Sequence, residues 1–340
     1  MKKIGVLFGQ ERGFPLALVD RINSLSPGDV VAEPVKVGGV ALGTPAGYDL
    51  VLDRISQDIP FYRAYLKKLV ADGTIVVNNP FWWSADDKYF NNVVASRIGV
   101  AVPKTVLLPS HTHPPDTTSD SMSNLKFPLE WEEIFHHIGF PAYFKPYSGG
   151  GWKSVYRVTN PDEFFAAYKD SGQHVMTLQE EIVFDRYFRC YAIGAKHVRI
   201  MPYDPREPFH RRYVREAREE DPEIVARVHA DCVKLTQALG YEFDTLEFAV
   251  RDGVPYAIDF LNPAPDADPG SVGEENFRWV LETAASWLIE RVREGAPQKT
   301  MHWQEFLSPQ ASGPRPTKGN GSPPRRRPPA RKPKSTPPEA

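Results

Sequence analysis

The sequence predicts an α/β chain in which a small domain on a parallel sheet precedes a larger α+β region. Three observations carry that prediction. Through residues 1–84, short apolar runs alternate with amphipathic stretches, the pattern of strands and helices wound in turn. From Trp131 to Phe306, β-branched and aromatic runs follow one another across turns, together with four amphipathic stretches, as in antiparallel strands with added helices. The last 32 residues hold ten prolines and almost no apolar side chains, too little to offset the entropy of ordering them.

The composition is that of an ordinary globular protein, with 41% hydrophobic and 25% charged residues. The net charge of −2 is uneven. From Pro309 to Ala340 eight Lys/Arg face one acid, so this stretch carries +7 and the remainder −9. Residues 308–340 are read as a disordered basic tail. It lacks aromatics for stacking on bases, so a solubilising role is expected before nucleic-acid binding. Two cysteines, Cys190 and Cys232, stand in apolar segments and suggest buried thiols rather than a disulfide or metal framework. No apolar run reaches the ~20 residues needed to span a bilayer. The start, "MKKIGVLFGQER", has too short an apolar stretch for a signal peptide, and a cytoplasmic location is expected.

In the first domain, strands are expected at Ile4–Phe8, Asp49–Leu52 and Thr74–Val77, with helices at Pro15–Ser24 and Phe61–Asp72. Phe81–Trp83 reads as a packing plug between domains. Ser84 or Asp86, both good cap residues, should open a helix that ends near Gly99. A strand comes next in "VAVPKTVLL". Residues 109–126, rich in Pro, Ser and Thr, form a flexible polar excursion. Its His111 and His113 lack the companions of a metal site. Beyond it lie a helix at Trp131–Ile138 and strands at Ala142–Lys145 and Ser154–Val158. Between these strands lies "KPYSGGGWKSV". A helix at Pro161–Tyr168, strands in "VMTLQEEIVF" and "YFRCYAIG", a helix at Asp221–Leu239, a hairpin in "FDTLEFAVRDGVPYAIDFL" and a helix at Glu274–Glu294 complete the order.

Two segments carry chemistry. The glycine loop does not open onto a helix and lacks the glycine before Lys-Ser that a Walker A loop requires. It reads as a strand–loop–strand lid. Three glycines would let backbone N–H groups approach anionic oxygens, although a mobile hairpin without ligand has the same sequence.

In the hairpin, Arg251–Gly253 fits a three-residue loop with Gly253 left-handed. Val250 then faces Val254. One face holds Leu246, Phe248, Val250, Val254, Tyr256, Ile258 and Phe260; the other holds Thr245, Glu247, Ala249, Ala257 and Asp259. Two carboxylates on one face repel unless a cation lies between them. Oxygen donors point to Mg²⁺ or Mn²⁺, and Asn262 adds a neutral oxygen.

Taken together, a helix carrying "DK", a strand, "FPAYFKPYSGGG", "LQEEI" and an acidic hairpin ending in Asn-Pro resemble the ATP-grasp superfamily over about residues 85–307. Residues 1–84 resemble the α/β domain that often precedes it. The resemblance implies a two-lobed fold holding ATP. It implies Lys88 and Lys145 as phosphate-facing lysines, with Ser148, Gly149, Gly150 and Gly151 as the lid. It implies Gln179, Glu180, Glu181 and Ile182 as the hinge at the adenine, and Glu247, Asp259 and Asn262 as Mg²⁺ ligands. Asp185 and Tyr187 both stand where a ribose-binding acid is expected, and Asp244 competes with Glu247 as the first metal acid. An extra residue separates Asp259 from Asn262, which suggests a bulge.

Arg189, Arg199 and Arg211 are candidates to contact phosphate or a substrate carboxylate. For "HVRIMPYDPREPFHRRYV", a substrate-binding segment and a solvated loop pairing with the following acids are both open. The implied reaction is ADP-forming ligation of a small-molecule carboxylate to an amine, or to a thiol, through an acyl phosphate. A small-molecule kinase and a silent nucleotide-binding module are the alternatives. A homodimer could use Glu274–Glu294 or the aromatic-rich first domain.

Overall fold

The computed structural model describes residues 1–82, 87–214 and 219–295. The expected cap at Ser84 or Asp86 and the basic tail from residue 308 lie outside them. The first four strands and two helices keep the alternating pattern: β1 (Lys2–Leu7), α1 (Gly13–Leu25), β2 (Val30–Pro34), β3 (Leu50–Asp53), α2 (Pro60–Ala71) and β4 (Ile75–Val77). All pairings are parallel, in the order β2-β1-β3-β4. The edge strand β2 is absent from the sequence reading. Its five residues, "VVAEP", include an acid and a proline, both tolerated at an edge.

After α3 (Lys88–Arg97) the chain builds a second sheet from β5 (Thr105–Leu108), β6 (Ala142–Pro146), β7 (Tyr156–Val158) and β8 (Met176–Glu180), in the order β5-β8-β6-β7 and antiparallel throughout. Helices α4 (Trp131–Ile138) and α5 (Pro161–Asp170) cover one face. Ala142, Phe144, Val158, Met176 and Leu178 pack there with Phe164 and Tyr168. Period-two alternation therefore turns Tyr143, Lys145, Thr177 and Gln179 to the other face.

A third antiparallel sheet holds β9 (Arg186–Ile193), β10 (His197–Pro202), β11 (Phe243–Arg251) and β12 (Val254–Asp259), in the order β10-β9-β11-β12. The strand β10 occupies the start of the segment read as a loop or substrate contact. Beneath this sheet α3 and α6 (Pro222–Leu239) bury Phe188, Cys190, Leu246, Phe248 and Cys232. Both cysteines are free and buried. The short α7 (Pro269–Val272) and the long α8 (Glu274–Glu294) close the order. On the sheet's other side, α1, α8 and the parallel sheet share one apolar core with Tyr191, Ile193 and Phe243.

Two buried polar staples hold the parallel sheet to this third sheet. Asn78, just after β4, donates to the Phe243 carbonyl at 2.8 Å and accepts from the N–H groups of Glu242 and Phe243. Arg54, just after β3, donates to Glu11 and to the Pro265 carbonyl, its guanidinium 4.8 and 5.6 Å from the ring centres of Phe14 and Phe243, which stack on each other. Among the described residues no helix is long and apolar enough to cross a membrane.

Candidate active site

The hairpin of β11 and β12 sets the geometry, by a route that differs from the sequence reading. Its turn has two residues, Asp252 and Gly253, both at positive φ (54° and 71°). Arg251 pairs with Val254, and Val250 with Pro255 rather than Val254. Even registration of this kind would turn Asp259 away from Glu247. A bulge between Glu247 and Phe248 absorbs one residue, and Glu247 then pairs directly with Asp259. The shared face of the two acids is therefore recovered. The face assignment of Tyr256 and Ile258 is not: they pack into the core on the Ala249 side, while Ala257 joins Phe248. Alternation reads hydrophobicity but not a bulge, which changes register without changing composition.

Asp259 and Glu247 are each neutralised by a cation. Lys88 opens α3, whose cap is Asp87, accepting from the Phe90 N–H at 2.9 Å. The Lys88 N–H donates to the Tyr147 carbonyl at the root of the glycine loop, at 2.7 Å. Its ammonium donates to both oxygens of Asp259, at 2.9 Å each. Partial withdrawal from water pushes the Asp259 carboxyl up, but Lys88 and Lys145 outweigh this and hold it below the usual range. Glu247 accepts from Arg189 at 2.5 Å and from the Tyr187 hydroxyl at 2.6 Å. Arg189 also donates to Thr245 at 3.2 Å and lies over the Tyr203 ring. Arg189 and Tyr187 share a face of β9 because they are two residues apart. Tyr187, named in the sequence as a competitor for the ribose position, thus serves Glu247, while Asp185 is exposed, with its N–H on the Val250 carbonyl.

Lys145 projects from β6 toward the same acids. Desolvation, and then the Lys88 ammonium, pull its pKa down to about 8, against the opposing pull of Asp259 and Glu247. The glycine loop joins β6 to β7 as an antiparallel hairpin, as the strand–loop–strand reading requires. Gly149 and Gly151 have φ of 80° and 73°, which only glycine adopts freely. A Cβ at any of the three glycines would meet nothing within 4 Å, so the loop stands clear of its neighbours. Trp152 stands at the tip, exposed, with the Arg212 guanidinium 5.5 Å from its ring centre.

The remaining residues divide. At the end of β8, Gln179 donates to Thr105 at 2.9 Å, Glu180 accepts from Arg251 at 2.7 Å, and Glu181 pairs with Arg157 at 2.9 Å. Ile182 is buried in the core shared with the parallel sheet. Arg199 points to the start of α8, where it bonds Glu275 and Asn276. Arg211 is exposed, in a short turn at Phe209–Arg211. The structure thus brings Lys88, Lys145, Arg189, Glu247 and Asp259 together and directs Arg199 elsewhere.

The donor set fits a hard divalent cation. Two carboxylates face each other across the hairpin, and among the described residues the Asn262 amide makes no hydrogen bond. No group of three or more His, Cys, Asp and Glu side chains suited to a metal occurs among the described residues, so such a site would consist of two acids and an amide. Asp244, the other candidate acid, faces the opposite side of β11, and burial pushes its carboxyl far up.

No family model matches the chain, and no curated protein matches its sequence. Solved structures do match. D-alanine–D-alanine ligase from Bacillus anthracis aligns at a TM-score of 0.59 with 16% identity, over 87% of this chain and 99% of its own. A RimK domain protein from Sphaerobacter thermophilus, described as ATP-grasp, aligns at 0.61 with 14% identity, over 84% and 99%. The chain has an ATP-grasp fold. VanG D-Ala:D-Ser ligase from Enterococcus faecalis adds a third ATP-grasp likeness, at 0.60 with 15% identity over 86% and 99%. In this ATP-grasp fold the glycine loop and the acidic hairpin belong to different sheets, and α3 bridges them through Lys88.

Proposed function

We propose that the chain is a Mg²⁺- and ATP-dependent ligase that joins a small-molecule carboxylate to an amine and forms ADP. One observation carries the reading: two lysines from separate elements converge on a directly opposed carboxylate pair, one of the lysines bonded to the root of a glycine loop. That combination of charges suits a triphosphate and its metal and little else. Solved ligases of the same fold support the reaction class.

In this reading Lys145 and the lid N–H groups bind phosphate oxygens, and Lys88 moves between Asp259 and the nucleotide. Glu247, Asp259 and Asn262 hold Mg²⁺, which when bound neutralises charge on the transferring phosphoryl group. Arg189 and Tyr187 fix the Glu247 carboxylate. The hinge at Gln179–Ile182 lies at the adenine. The substrate carboxylate takes the phosphoryl group, and the lid excludes water until the amine displaces phosphate. In the same reading Arg211, next in sequence to the lid-contacting Arg212, meets the substrate carboxylate.

Calorimetric titration of Mg-ATP tests the nucleotide site. Wild type should bind in the micromolar range, and Lys145→Ala should bind about tenfold or more weakly, ~1.4 kcal/mol. Carboxylate and amine pools are then screened for phosphate release. A stable phosphorylated product without free phosphate would establish a kinase instead. Absence of Mg-ATP binding by folded wild type would overturn the reading.

A further inference from the structure

Asp244 lies three residues before Glu247 on β11 and on the opposite face, the one that carries Leu246, Phe248 and Val250 into the core beneath α6. It is fully buried. Its Oδ1 accepts the backbone N–H of Asn262 at 2.6 Å. Its Oδ2 has no hydrogen-bond partner among the described residues. A buried carboxyl with one oxygen unsatisfied costs stability compared with an apolar side chain of similar shape. Packing alone gives no reason to keep it.

The reason lies at the other end of the hydrogen bond. The strand β12 ends at Asp259, so the sheet ladder no longer fixes the backbone beyond that residue. Phe260 and Leu261 turn into the core. Asn262 emerges next, and Pro263 after it has no N–H to anchor. The Asn262 N–H therefore holds this stretch in place, and Asp244 receives it from inside the core. The Asn262 amide meanwhile makes no hydrogen bond among the described residues.

We propose that Asp244 is a positioning residue that clamps the Asn262 backbone and so sets the Asn262 amide beside Glu247 and Asp259 for a divalent cation. The inference rests on the metal-ligand reading above and deepens it. It also accounts for the extra residue between Asp259 and Asn262: the longer excursion is tied back from beneath the sheet. A purely structural tie would change stability alone. A positioning tie changes metal affinity apart from nucleotide affinity.

The test measures ATP binding by calorimetry, without metal and across a Mg²⁺ titration, for wild type, Asp244→Asn and Asp244→Val. Asparagine keeps an oxygen acceptor in place, and its half-saturating Mg²⁺ should stay within about threefold of wild type. Valine removes the acceptor and should raise it about tenfold or more, with metal-free ATP affinity nearly unchanged. Asn262→Ala leaves the clamp intact and should show the same rise. A folded Asp244→Val with wild-type Mg²⁺ dependence overturns the inference. An unchanged Mg²⁺ requirement in Asn262→Ala does so even where the valine variant fails to fold. Wild type that binds no nucleotide overturns the proposed function itself, and does so before any variant is compared.

Discussion

Lys88 donates to both oxygens of Asp259, so the first residue of α3 closes the same carboxylate that a divalent cation would need. In the proposed ligase, ammonium and metal would compete for this one acid until a nucleotide gave the lysine a phosphate. Replacing Lys88 by alanine should have opposite effects on two affinities. Mn²⁺ binding without nucleotide should tighten, because the competing cation is gone. Mg-ATP binding should weaken by about tenfold, since a charge-assisted contact is lost. Parallel Mn²⁺ and Mg-ATP titrations check this; equal weakening of both would refute the exchange.

The pKa of Lys145, about 8, predicts a proton taken up on binding. Its free ammonium is disfavoured by desolvation and by Lys88. Triphosphate charge beside it would favour the protonated form and raise the pKa in the complex. Below about pH 7 the residue is protonated in both states and contributes no pH dependence. As pH rises through 8 the free form loses its proton first, so affinity should fall, by up to about tenfold per pH unit. Calorimetry in buffers of different ionisation enthalpy should show uptake near half a proton at pH 8. The signal should vanish in Lys145→Met.

Arg189 and Glu247 form a largely buried pair, with side chains 14% and 18% exposed. Removing one partner strands the other, at a typical cost of about 3 kcal/mol. Arg189→Met should therefore destabilise strongly in denaturant melts. The double variant with Glu247→Gln should recover a good part of that loss, because no lone charge remains. Additive losses would mean that the pair contributes little beyond packing.

Much of this fold was legible in sequence. The alternation of short apolar runs with amphipathic stretches gave the N-terminal strands and helices, and α4 and α8 lie at their expected boundaries. Their caps and periodicity are local, and local signals survive in a linear reading. The strand β2 did not, because a five-residue edge strand that ends in an acid and a proline carries little pattern. Nor did β10, whose arginine and histidine resemble a loop. The cap of α3 is Asp87 rather than the Ser84 or Asp86 expected, because neighbouring cap-type residues in one polar stretch are not separated by local preference.

The sequence by itself determined which residue types could meet a nucleotide: a glycine loop between strands, lysines before and within it, and two acids on one hairpin. Residue chemistry along the chain and the resemblance to the ATP-grasp superfamily carried that much, whereas alternation alone, with the two-residue turn, would have set the two acids on opposite faces. Only the tertiary structure decided how they meet. A bulge sets Glu247 opposite Asp259, and backbone register is a property of paired strands, not of either one. Lys88 reaches Asp259 across 171 positions of chain. Asp244, rather than competing as a ligand, turns inward because one face of β11 is core. Burial, long-range pairing and the choice of partner depend on what the rest of the chain brings alongside, and that is fixed only when the sheets pack.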